Sequence, residues 1–145
     1  MKTSQKGIDL IKQHEGLRLV AYPDPASGGK PWTIGFGSTH GVRQGLKINA
    51  QQAEDMLRET LVEFEEVVNT HVKVPLTQNQ FDSLMSFIYN VGPRNFIGSS
   101  VLSKLNDGDT KGAADALLLW DRAAHHVVPG LHTRRVDERA VFLTA

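Results

Sequence analysis

The sequence predicts an α+β fold: a small antiparallel β lobe and a larger helical lobe, joined by a long helix, with a cleft between them. Three observations carry this. Residues 17–48 hold glycine at 28, 29, 35, 37, 41 and 45 and proline at 23, 25 and 31, interleaved with short β-prone pieces. From residue 49 to the end the apolar spacing is helical. One short amphipathic stretch precedes the glycine-rich segment.

The elements follow in order. A first helix is predicted from about Ser4 to Glu15, with Ile8 and Ile11 on one face and Gly16 free to turn the chain past its end. Strands are expected at Leu17–Tyr22, at Trp32–Phe36 and around Val42. Asn49 with Gln52 forms a capping box, with Ile48 and Ala53 as its staple. The helix behind it, about residues 49–70, would span roughly 30 Å. Thr77 with Gln80 forms a second capping box, and its helix stops at Gly92-Pro93. Further helices are predicted at Ser100–Asn106, Thr110–Trp120 and Leu131–Leu143, with Asp109 capping the second and Pro129-Gly130 separating the last two. Residues 1–145 are expected to form one domain: the β-rich lobe at about 17–48, and the helical lobe from about 49 together with the first helix.

Composition excludes several functions. Sixteen Lys and Arg balance sixteen Asp and Glu, which argues against neutralising many phosphates on a nucleic acid. The same balance disfavours killing through a cationic amphipathic helix. Without cysteine there is no disulfide and no thiolate chemistry. Six histidines, at 14, 40, 71, 125, 126 and 132, are scattered and form no His-Glu-x-x-His pattern, so no metal site is expected. His125-His126 reads as exposed loop. No apolar run matches a signal-peptide core or a membrane span, so synthesis in the cytosol and no direct membrane insertion are expected.

The chemistry concentrates in one turn-rich stretch. Glu15 ends the first helix, Asp24 lies between Pro23 and Pro25, and Thr33 opens a strand. A carboxyl at a helix C-terminus faces the negative end of the helix dipole, a poor place for stability and a useful one for a proton donor. Two acids in unequal surroundings with a hydroxyl nearby are minimal equipment for splitting a glycosidic bond. Each residue also has a plainer reading: a solvated helix end, a proline turn and a strand residue.

The run Glu15-Gly-Leu-Arg-Leu-Val-Ala-Tyr-Pro-Asp24, followed by Trp32-Thr33-Ile34-Gly35-Phe36-Gly37, resembles the phage-type lysozymes of glycoside hydrolase family 24. The likeness continues through Leu76–Asp82, Phe87–Gly92, Ser99–Leu102, Leu119-Trp120 and Pro129–Leu131 with Arg134-Arg135. The resemblance implies a lysozyme-like fold and cleavage of the β-1,4 bond between N-acetylmuramic acid and N-acetylglucosamine in peptidoglycan. It implies Glu15 as acid, Asp24 as second carboxyl and Thr33 as the hydroxyl that holds water, with no cofactor. Tyr89, Asn90, Ser99, Arg134 and Arg135 are candidate substrate-binding residues: the first three as sugar contacts, and one of the arginines as a partner for Glu15 or for the substrate's acidic groups. Helix capping or core packing is the plainer reading for Tyr89, Asn90 and Ser99, and a solvated helix face for the arginines. Trp120 reads as core. The expected partner is the peptidoglycan glycan strand, met by a monomer that depends on a separate holin for export. Two alternatives stay open: a lytic transglycosylase on the same bond, and a non-catalytic peptidoglycan-binding module.

Overall fold

The computed structural model describes residues 1–25, 27–123 and 125–145. Their elements run α1 Gln5–Glu15, β1 Arg18–Tyr22, β2 Thr33–Gly35, α2 Ala50–His71, α3 Gln78–Val91, α4 Pro93–Ile97, α5 Ser100–Asn106, α6 Thr110–Leu117, β3 Arg122–Ala123, β4 His126–Val127 and α7 Pro129–Phe142. They group into two compact units, one of Asp9–Glu63 and one of Met1–Ile8 with Phe64–Ala145.

In the unit Asp9–Glu63, β1 and β2 pair antiparallel, with Arg18 opposite Gly35 and Tyr22 opposite Thr33. Val42 forms no strand; the further partner of β1 is Lys47, in an isolated bridge to Val20. Asn49 and Gln52 exchange side-chain to backbone bonds of 2.8 Å each way, so the first capping box starts α2 as its sequence indicates. Ile11, Ile34, Phe36, Ala53 and Leu57 are buried. Gly35 is required in this packing. Its φ is +66°, and a β-carbon there would lie 3.2 Å from that of Ala53. Lys12 pairs with Glu54 of α2 and lies 5.3 Å from the Phe36 ring centroid, so one side chain ties α1 to α2 and to the segment after β2. Arg58 adds a second cation to Glu54 at 3.2 Å.

In the other unit, α3 packs against α7 and α4, and α6 against α5 and α7. Thr77 and Gln80 close the second capping box. Gly92 ends α3 at φ +92°, and Pro93 then starts α4, a short helix the sequence reading missed. Asp109 caps α6 with a 2.8 Å bond from the Gly112 amide. That helix ends at Leu117, short of the expected Trp120, and the chain continues into the small antiparallel pair β3–β4. His126 belongs to β4 and is exposed, as is His125. Pro129 starts α7 instead of preceding it, because proline at the first helical position forfeits no hydrogen bond. The core is aromatic where α3 and α4 meet: Phe87 packs edge-on to Phe96 at 6.4 Å and to Trp120 at 5.8 Å.

The start of the chain is tied into this second unit. Asp82 is fully buried and accepts bonds from the Ser4 amide at 3.0 Å, the Ser4 hydroxyl and Gln78 Nε2 at 2.9 Å. Its carboxylate therefore serves the first turn of α1 much as a cap residue does.

Two expected outcomes follow from these anchors. Gly7→Ala would gain about 1 kcal/mol of helix propensity. The added β-carbon would stand 2.8 Å from Asp82 Cγ and from Thr3 Cγ2. Asp82 is held by Ser4 and Gln78, so overpacking of about 1–3 kcal/mol wins. The melting temperature should fall by roughly 3 °C, and an unchanged or higher value would refute the close packing. The second outcome concerns pH. The Lys12 hydrogen bond, with Arg58 behind it, holds the Glu54 carboxyl below its ordinary range. A depressed folded pKa stabilises above the unfolded value, about 4.3, and the gain is lost as pH falls through the folded value. Thermal melts of wild type and Glu54→Gln should thus differ at neutral pH and converge only below about pH 4. A difference that stays flat into strong acid would contradict the pairing.

Candidate active site

Three sequence-predicted residues, Glu15, Asp24 and Thr33, fall in the unit Asp9–Glu63: at the end of α1, in the loop after β1 and at the start of β2. Glu15 is the last residue of α1 and is half-buried. The helix stops there because Gly16 takes φ +71° while its amide still bonds to the Lys12 carbonyl at 3.1 Å. The last turn of α1 thus carries Lys12, tied to Glu54, and Glu15 three residues on.

Asp24 follows β1 after Pro23 and is also half-buried. Its backbone closes the next turn from both sides. The Asp24 amide bonds to the Gly29 carbonyl at 2.9 Å, and the Gly28 amide returns to the Asp24 carbonyl at 2.8 Å. Gly28 adopts φ +72°, which the turn requires. Ser27 reinforces the loop by donating to the Lys30 carbonyl at 2.6 Å. Thr33, the first residue of β2, stands opposite Tyr22, so Asp24 lies two residues beyond its cross-strand partner. The Thr33 hydroxyl donates to the Pro31 carbonyl at 3.3 Å, a long bond that leaves its oxygen able to accept.

The other five candidates, Tyr89, Asn90, Ser99, Arg134 and Arg135, lie in the unit that includes Phe64–Ala145. Tyr89 is half-buried, its ring edge-on to Phe64 at 6.3 Å. Asn90 is exposed, and its side-chain oxygen accepts from Arg135 Nη2 at 2.9 Å. Ser99 is buried and caps α5: its oxygen accepts from the Leu102 amide at 3.3 Å while its hydrogen goes to the Phe96 carbonyl at 2.7 Å.

The arginines do not line a solvated helix face. Arg134 and Arg135 are buried, with 4% and 0% of their surface exposed. Both turn onto Glu138 of the same helix, itself buried: Arg134 Nε at 3.2 Å and Arg135 Nε at 2.8 Å. Ser86 of α3 donates to the same carboxylate at 2.6 Å, and Ser83 donates to the Glu138 carbonyl at 2.6 Å. Arg134 Nη2 returns to the Ser86 carbonyl at 2.9 Å. Burial pushes the Glu138 carboxyl up against the pull of both guanidiniums, and pulls Arg135 down against the pull of Glu138. Sequence reasoning passed over Glu138. Its signal was the spacing of three and four residues from the two arginines, which puts all three on one side of a helix.

The arrangement in the unit Asp9–Glu63 supplies a fixed helix-end carboxyl, a turn carboxyl and a strand hydroxyl, which are the parts for acid-assisted transfer to water. Among the described residues no helix is long and apolar enough to cross a membrane. A family model described as phage lysozyme matches residues 12–138. The endolysin of Acyrthosiphon pisum secondary endosymbiont phage 1 is 43% identical over 149 aligned positions, covering all of both chains. The endolysin of Salmonella phage P22 is 43% identical, covering 99% of each chain. Among solved structures, the muramidase domain of SpmX from Asticaccaulis excentricus matches with a TM-score of 0.94 at 41% identity, covering 99% of each chain. By sequence and by fold, the chain belongs to the phage lysozyme family.

Proposed function

We propose that this lysozyme is an endolysin that cuts the β-1,4 bond between N-acetylmuramic acid and N-acetylglucosamine through Glu15, Asp24 and Thr33. The observation that carries the residue roles is the abrupt end of α1, which leaves a half-buried carboxyl on an anchored last turn, followed by Asp24 in the loop after β1 and Thr33 at the start of β2, its paired strand.

Glu15 gives its proton to the leaving oxygen of N-acetylglucosamine as the bond to C1 of the muramyl ring breaks. Positive charge grows on that ring and is stabilised by ionised Asp24. A water held by the Thr33 hydroxyl adds its oxygen to C1 and loses a proton toward Asp24. An inverting course needs the two carboxyls roughly 6.5–9.5 Å apart, with room for the water. A threonine that serves only to seat water has no use in a transglycosylase, whose nucleophile is the substrate's own hydroxyl, so hydrolysis is the better reading.

Tyr89 and Asn90 offer the accessible groups for sugar contact. Ser99, Arg134 and Arg135 are buried, and of these Arg135 bonds to Asn90. The protein works as a monomer, is made in the host cytoplasm and reaches the wall once a separate holin has opened the membrane.

Glu15→Gln keeps the shape of the side chain and removes the transferable proton. Clearing of a cell-wall suspension should slow by about two to four orders of magnitude. The circular dichroism and the binding to insoluble wall should match wild type. Lysis at the wild-type rate would refute Glu15 as the acid.

A further inference from the structure

We infer that the buried Glu138–Arg135 pair orients the Asn90 amide, so that its NH2 group faces outward as a donor for an acetamido carbonyl oxygen of the glycan. This deepens the proposed function and rests on it. Arginine carries donors only, so the atom of Asn90 that meets Arg135 Nη2 at 2.9 Å must be the amide oxygen. The NH2 group is thereby turned away from the guanidinium, on a residue that is exposed. Among the described residues the Asn90 side chain makes no other hydrogen bond.

The guanidinium cannot follow if the amide rotates. Glu138 is ion-paired to it, with Oε1 2.8 Å from Nε and Oε2 accepting from Nη2 at 3.3 Å, the Trp120 carbonyl accepts from Nη1 at 3.4 Å, and Phe87 lies 5.1 Å beneath it. Glu138 is itself held by Ser86. A buried ion pair is a weak source of stability, since apolar residues of similar size often serve as well or better. Apolar packing cannot, however, fix which end of an exposed amide faces out. On an N-acetylated glycan the natural match for an outward NH2 is the acetamido carbonyl, a neutral and strong acceptor. Arg135 and Glu138 are thus positioning residues acting through Asn90.

The test measures binding of the Glu15→Gln protein to insoluble peptidoglycan, either N-acetylated or chemically de-N-acetylated, so that no turnover intervenes. Asn90→Asp keeps an oxygen toward Arg135 and exchanges the outward NH2 for oxygen, and Asn90→Ala removes both without adding charge. Each should weaken binding to N-acetylated wall roughly five- to tenfold. Each should also lower the preference for N-acetylated over de-N-acetylated wall, with the melting temperature near that of the parent. Glu138→Gln should weaken the same binding in the Asn90 protein and add nothing in the Asn90→Ala protein. A purely structural pair would give additive losses instead. If Glu138→Gln does not fold, Arg135→Lys replaces it in the same cycle. Parental affinity and preference in both Asn90 variants, or additivity in the cycle, would overturn the inference. Failure of the hydrolase reading would show separately, as no muropeptide release by protein with Glu15 intact.

Discussion

The interaction on which this unit depends is that of Lys12, which anchors the last turn of α1, where the proposed acid Glu15 ends the helix. This lysine lies one turn before Glu15, pairs with Glu54 on α2 and rests against Phe36 just after β2. The end of α1, α2 and the segment after β2 thus meet at one ammonium group. An exposed ion pair is worth little, because water screens it and two long side chains must be immobilised. This one is partly shielded, shared with Arg58 and backed by an aromatic face, so it fixes geometry more than it adds stability. Gly16 completes the arrangement by letting the backbone leave the helix at once, so the carboxyl is not carried on into another turn.

The helical unit solves a different problem. It buries two arginines and a glutamate in the contact between α3 and α7, with both guanidiniums ion-paired to the carboxylate and a serine donating to it. Removing Glu138 would leave two buried guanidiniums without a counter-charge. The cluster therefore specifies how α7 meets α3, and through Arg135 it reaches Asn90.

Much of this was legible in the residues, for identifiable reasons. The two capping boxes and the caps at Ser99 and Asp109 read correctly, because each is a local bond between a side chain and a backbone amide three residues away. The paired β pieces read correctly too, since glycine and proline bracket them. What failed depended on tertiary context. The helix α4 is too short to show a period, and the pair β3–β4 has two residues per strand. Val42 is β-prone in composition and yet unpaired, because the partner of β1 comes from Lys47. The arginines looked solvated because charge in a sequence says nothing about a buried carboxylate unless Glu138 is read with them. Of the candidate site, Glu15, Asp24 and Thr33 were proposed from their order and residue types, and the folded chain puts them in one unit, at the end of α1, in the loop after β1 and at the start of β2.

The central claim is that the bond is cut by water added to the muramyl carbon, with Glu15 as the proposed acid and Asp24 and Thr33 serving the water. The most direct measurement is mass spectrometry of the fragments released from purified peptidoglycan in water enriched with heavy oxygen. Hydrolysis requires reducing muramyl ends that carry the heavy atom from the moment of cleavage. Ends that form an internal anhydro ring, one water lighter and free of label, would contradict it.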